Sequence, residues 1–183
     1  MNFPNYHYFG FEPDLSAFKC LQMNIKSHFC YNVALGNVNN SFENFYISSD
    51  NGDSSLIEPE NYSAIVSVNL VRADEFKQFL NDLDSLDNFQ SRTTSLSEYM
   101  NFDSGKERLI DLIKLEAEGA ELADLQGFEK LFYRTRYVSA DLGFENKGQS
   151  TLPEVTNYLL AKGFEIVNIG SPRLTALFKN SSL

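Results

Sequence analysis

The 183-residue sequence has no tryptophan and only two histidines, His7 and His28. Two imidazoles so far apart do not build a histidine metal centre, and no metal is expected. The two cysteines, Cys20 and Cys30, are not in a CxxC pair. Reduced thiols of a cytoplasmic protein are expected from them, ahead of a single disulfide. Basic residues are outnumbered, with 15 Lys and Arg against 25 Asp and Glu and a net charge of -10. That sign disfavours a nucleic-acid backbone or an anionic membrane as partner, and neither is expected. No apolar run approaches ~20 residues, so no membrane helix is expected. Glu12 and Asp14 interrupt the opening stretch, so it does not read as a signal peptide. The ten glycines nowhere form GxG. A glycine loop that lets a backbone close on a cofactor is therefore not in the sequence.

What is present is a globular composition, 43% hydrophobic and 14% aromatic with sixteen phenylalanines. The length suits one domain over 1–183 with a real core. The organising stretch is 113–127, IKLEAEGAELADLQG. Residues 109–115 read as a strand, with Ile113 and Leu115 on one side and Lys114 and Glu116 on the other. Glu116, Glu118 and Glu121 follow, Gly119 breaks the pattern, and a helical period begins at Leu122 and continues through Leu125, Phe128 and Leu131. A strand that ends in acids and passes straight into a helix is what an open α/β sheet presents at its ligand-binding carboxyl edge. Two carboxylates two residues apart raise each other's pKa or demand a cation or hydroxyl donor. The plainer reading is mutual satisfaction: Lys114 pairing Glu116 or Glu118, with Glu121 and Asp124 favouring the positive end of the helix.

Along the chain, 6–11 reads as an aromatic strand and 14–27 as a helix, with Glu12 and Pro13 between them. An acid at that strand end suits ribose hydroxyls; equally, it suits the helix dipole. Residues 31–35 and 42–47 read as strands, 48–55 as a polar loop and 65–71 as an apolar strand. A helix is expected over 74–89, within a surface insertion at about 72–92. Residues 93–100 read as a short strand and turn leading to a loop with Gly105. Residues 112–115 are expected as a central strand, and 137–142 as another, bringing Asp141 and Glu145 to the sheet edge. A helix over 152–162 starts at Pro153 and closes at Gly163. Two strands, 164–169 and 174–179, finish the chain as an antiparallel pair. The order predicts an α/β fold with a mostly parallel sheet and an antiparallel C-terminal strand pair.

The blocks FEPD (11–14), NVALGN (32–37), SSL (54–56) and LIKLEAEGAELADLQGFEKL (112–131) resemble, in order and spacing, the FEP, ALG, SSL and IKIDVEGAE blocks of FkbM-type methyltransferases. The resemblance covers nearly the whole chain outside the insertion, and the fourth block carries most of its specificity. It implies a Rossmann-like class I fold, S-adenosylmethionine as methyl donor, and O-methylation of a hydroxyl on a sugar or natural product. It matches Glu12, with Pro13, to the ribose-binding acid and places Ala34, Leu35, Gly36 and Asn37 near the adenine. Glu116 matches the family's Asp in IKID, one methylene longer, and Glu118 its Glu; these two carry the catalytic role. The family's glycine-rich loop precedes FEP, and its counterpart is not found here, so the N-terminal βα unit is expected to be missing. The chain is then a fragment, a form with its missing unit supplied by a partner, or a truncated or degenerate non-catalytic α/β binding module. With one grip on the cofactor absent, weak binding of S-adenosylmethionine by the chain alone, or none, is expected.

Overall fold

The computed structural model describes residues 7–25, 29–48, 54–59, 61–90, 109–144, 148–171 and 173–183. Strand β1 (Phe9–Phe11) leads into helix α1 (Leu15–Asn24) and back to β2 (Phe29–Tyr31), which pairs with β1 in parallel. Asp14 caps α1 by accepting the backbone N–H of Ser16 at 2.7 Å and of Ala17 at 3.3 Å, which satisfies two of the orphan donors of the first turn. The aromatic alternation of β1 and β2 is used in packing: Phe9 stacks on Phe29 at 5.1 Å, and Phe11 meets Phe79 edge-on at 5.2 Å.

The expected strand 31–35 divides at Asn32 and Val33 into β2 and a short β3 (Ala34–Leu35). The Asn32 side-chain amide donates to the carbonyls of Glu12 and Pro13, turning the chain toward a second sheet. There β3 runs parallel to β5 (Ala64–Val71), whose other edge pairs with β4 (Ser41–Ile47) in antiparallel register. Helix α2 (Lys77–Gln90) follows. Its Phe79 and Leu83 are buried in the main core, so this face is integral to the fold rather than a surface addition.

β6 (Ile110–Leu115) pairs in parallel with β7 (Thr135–Asp141), joined by α3 (Glu121–Gly127) and a 3₁₀ segment, Glu129–Arg134. Helix α4 (Leu152–Ala161) starts with Pro153 in its first turn, buries Val155 and Leu159, and is followed by Gly163 at φ 86°. The chain ends on β8 (Phe164–Ile169) and β9 (Thr175–Asn180). β9 lies antiparallel between β7 and β8, so the expected antiparallel finish is present.

The α/β class is therefore seen, but the sheets are mixed. Three described pairings are parallel (β1 with β2, β3 with β5, β6 with β7) and three are antiparallel. The expectation of one mostly parallel sheet is corrected accordingly: the β4–β5 ladder and the insertion of β9 beside β7 supply antiparallel edges. The central placement of 112–115 is corrected too. Among the described residues β6 ends its sheet in the order β6-β7-β9-β8. Ile113 and Leu115 are buried, whereas Leu112 is 52% exposed, so only one face of β6 is covered. The readings at 93–100, Gly105 and Glu145 lie outside the described residues. Among those described, no helix is long and apolar enough to cross a membrane.

Candidate functional site

The carboxyl ends of β1 and β6 open on one cleft of about 250 Å³. From the β1 end come Glu12, Pro13 and Asp14; from the β6–α3 turn come Glu116 and Glu118; from α3 comes Asp124. Val33, Ala34 and Leu35 form an apolar wall, completed by Phe45 and Leu56, with Ser54 between. Five of its lining residues are carboxylic acids, and among the described residues none of the lining is basic. Of the residues expected at a site, Glu12, Pro13, Ala34, Leu35, Glu116 and Glu118 are brought together here. Gly36 and Asn37 are not in the lining; they back its wall. The Asn37 amide donates to the Gln126 side chain at 2.9 Å. A Cβ on Gly127 would stand 2.3 Å from the Gly36 carbonyl oxygen, so α3 and the end of β3 meet backbone to backbone.

Glu12 accepts the N–H of Asp14 on Oε1 at 2.8 Å. Half burial pushes its carboxyl above the usual range; the Asp14 N–H opposes that shift, and the Asp14 charge adds to it. Glu12 thus serves the helix start and lines the cleft as well. Glu116 forms an exposed ion pair with Lys114 at 2.7 Å, the mutual satisfaction one reading of the sequence anticipates. Such a pair is weakly held in water. Glu118 has φ 48° and Gly119 φ 98°. A left-handed glutamate is uncommon, and the surroundings must hold it there. The buried Ser55 hydroxyl donates to the Glu118 carbonyl at 2.9 Å, and Glu121 Oε1 accepts the N–H of Ala117 at 3.2 Å and of Gly119 at 3.0 Å. The turn that carries both candidate acids is thereby tied to the SSL loop on one side and to α3 on the other.

Glu121 and Asp124 are on the first turns of α3, as the sequence suggests, but both are buried: 0% and 7% exposed. Burial first, and then the neighbouring Glu121 charge, push the Asp124 carboxyl up to about 8. Charge pattern alone gives the solvated helix-terminus reading for Asp124. No local pattern distinguishes it; the packing of α3 against β3 is what takes position 124 out of solvent. Among the described residues no group of three or more His, Cys, Asp and Glu is arranged to hold a metal ion.

A family model described as the methyltransferase FkbM domain matches residues 2–166. The chain belongs to the FkbM methyltransferase family. No curated protein and no solved structure matches it. Membership makes the chain a methyltransferase-family protein, and that family's chemistry in general depends on S-adenosylmethionine. The acidic cleft is the part of this FkbM domain where all four blocks of the motif pattern meet: FEP at its β1 end, ALG along its wall, SSL at its loop and LEAEG at its turn.

Proposed function

We propose that the chain is a cytoplasmic S-adenosylmethionine-dependent O-methyltransferase acting on a hydroxyl of a saccharide or natural product, with this cleft as its site. The observation that carries this reading is the arrival of Glu12, from one strand end, and of Glu116 and Glu118, from another, in a single cleft. The donor set fits the cofactor in part. Glu12 uses one carboxylate oxygen on the Asp14 N–H, and its other oxygen suits a ribose hydroxyl. The Val33–Leu35 wall suits a flat base, and the surrounding carboxylates suit a sulfonium cation. S-adenosylmethionine, when bound, supplies an electrophilic methyl group; the chain supplies position and a proton acceptor. Glu116 or Glu118 would take the proton that the acceptor hydroxyl gives up as its oxygen gains the methyl group, the electron pair of the broken carbon–sulfur bond staying on sulfur and leaving a neutral thioether.

The arrangement is Rossmann-like. In support, among the described residues β1 pairs with β2 alone and β6 with β7 alone, while their carboxyl ends share the cleft. The free thiols of Cys20 and Cys30 agree with a reducing compartment. The test is methyl transfer from labelled S-adenosylmethionine to a panel of sugars and hydroxylated natural products. Label retained in an O-methyl product, and lost in Glu118→Gln, supports the reading. Transfer that survives in the double variant Glu116→Gln/Glu118→Gln moves the proton acceptor elsewhere.

A further inference from the structure

The β4–β5 ladder presents two unlike faces. Its register is unbroken from Ser41 opposite Leu70 to Ile47 opposite Ala64, so side chains alternate strictly between them. Phe45, Val68 and Leu70 are buried together on one face, and Phe45 lines the cleft. The other face carries Phe42 opposite Asn69, Asn44 opposite Ser67, and Tyr46 opposite Ile65. Phe42 is 74% exposed and Ile65 48%. Tyr62, 39% exposed just before β5, meets the Tyr46 ring edge-on at 5.1 Å.

Single exposed apolar side chains are ordinary, but several on one face mark an interaction surface. This surface has a defined composition. Phe42 stands at one end and the Tyr46–Tyr62 pair at the other, separated along the strand by about 13 Å, four residues of strand rise. Between them are the amide of Asn44 and the hydroxyl of Ser67, with the amide of Asn69 beside Phe42. Among the described residues these three polar side chains make no hydrogen bond to the protein. The chain has a net charge of -10, yet this face is built from uncharged residues.

We infer that the outer face of the β4–β5 ladder is a binding platform for an extended, neutral oligosaccharide. A pyranose has a face of C–H groups and a rim of hydroxyls. The C–H face stacks on an aromatic ring, which takes apolar partners on its flat side. The rim hydroxyls both donate and accept, and each free amide offers a donor and an acceptor in return. An uncharged platform suits a neutral chain, and the acidic molecule around it repels an anionic one. The inference goes beyond the methyltransferase reading, because the platform lies on the opposite face from Phe45 and the cleft and needs no S-adenosylmethionine. Ser55 ties the two together. Its backbone pairs with that of Tyr46 at 2.8 and 3.0 Å, and its hydroxyl donates to the Glu118 carbonyl.

The experiment is an NMR-monitored titration of the whole chain with neutral hexasaccharides of glucose, mannose and N-acetylglucosamine, beside the free monosaccharides and an oligogalacturonate of equal length. A neutral hexasaccharide should bind about tenfold or more tightly than its monosaccharide, shifting the signals of Phe42, Asn44 and Tyr62, and the oligogalacturonate should not bind. Phe42→Ala should weaken binding about tenfold at the parent's melting temperature, since the ring it removes is exposed. Asn44→Leu separates a sugar from an apolar partner. It enlarges the apolar surface but removes an amide, so saccharide affinity should fall about fivefold. Failure of every neutral hexasaccharide to bind overturns the inference. So does binding that either variant leaves unchanged, or a concentration-dependent dimer that Phe42→Ala abolishes in place of saccharide binding. Titration of the same samples with S-adenosylhomocysteine keeps the two readings apart. Saccharide binding without S-adenosylhomocysteine binding upholds the platform and removes the methyltransferase reading. S-adenosylhomocysteine binding without saccharide binding does the reverse.

Discussion

Gly127 is where the cleft wall has least room. An added Cβ would meet the Gly36 carbonyl oxygen at 2.3 Å, a backbone atom that cannot swing aside. Gly127→Ala should therefore cost about 1–3 kcal/mol, the usual range for overpacking, seen as a lower midpoint in urea. An unchanged midpoint would mean that α3 and β3 are not held face to face. Ile113 gives a second check at this scale. It is buried on the one covered face of β6, and Ile113→Asp would bury a charge without a partner. The variant should lose its cooperative thermal transition; a parent-like melt would contradict that burial. The alternation of Ile113 and Leu115 against Lys114 and Glu116 makes this inward face legible in the sequence. The burial of Asp124 is not legible in the same way. A helical acid near an N-terminus usually faces water, and only the packing of α3 on β3, between residues 89 positions apart in the Asn37–Gln126 contact, removes it from solvent.

At the scale of elements, Arg72 holds the wall together. Its guanidinium donates to both Asp74 carboxylate oxygens, at 3.0 and 2.8 Å, and to the carbonyls of Asn37 and Gln126, at 3.0 and 2.8 Å. Asp74 also accepts the Lys130 N–H at 3.1 Å, and its own N–H donates to the Gly127 carbonyl at 2.8 Å. One arginine thus joins the end of β5, the end of β3 and the end of α3. The Asp74 side chain is 0% exposed. Removing its partner strands a buried charge, at a cost of ~3–5 kcal/mol. Arg72→Met should show that loss in chemical denaturation and weaken cleft ligands in proportion to the unfolded fraction; a loss below about 1 kcal/mol, typical of an exposed pair, would contradict it. The elements themselves are largely legible: α1, α4, β5, β7 and the final β8–β9 pair follow the periodicities of the sequence. Their assembly is less so. β6 reads as a central strand because its short apolar core resembles a buried parallel strand, yet Leu112 is exposed, and sheet neighbours are set by contacts that local pattern does not encode. Likewise α2 reads as an addition because it is rich in Asp, while its Phe79 and Leu83 are core residues.

For the whole molecule, charge sets the pH response. Asp124 keeps its proton in the folded chain up to about 8, against 3.8 for an unperturbed group. Between those values the folded state binds more protons than the unfolded one, so stability falls as pH rises through this window and levels off above it. Glu12, raised by burial, adds in the same direction. The exposed Glu75 and Glu129, lowered by their lysine partners Lys130 and Lys162, work weakly the other way as the solution becomes acidic. Melting temperatures of the parent should therefore decline from about pH 5 to about pH 8, with a clearly flatter profile in Asp124→Asn. Parallel profiles for the two proteins would contradict the burial of an isolated carboxyl.

The central claim is that the acidic cleft is the cofactor site of an FkbM methyltransferase, gripped from the β1 end by Glu12. Calorimetric titration of the chain with S-adenosylhomocysteine, beside Glu12→Gln, tests it most directly. With no GxG loop in the sequence, several hydrogen bonds of roughly 1 kcal/mol each are forgone, and binding should be saturable but about a hundredfold weaker than a complete grip allows. Glu12→Gln should weaken it by about a further tenfold. Saturable binding that Glu12→Gln leaves unchanged would place the cofactor site elsewhere in the fold.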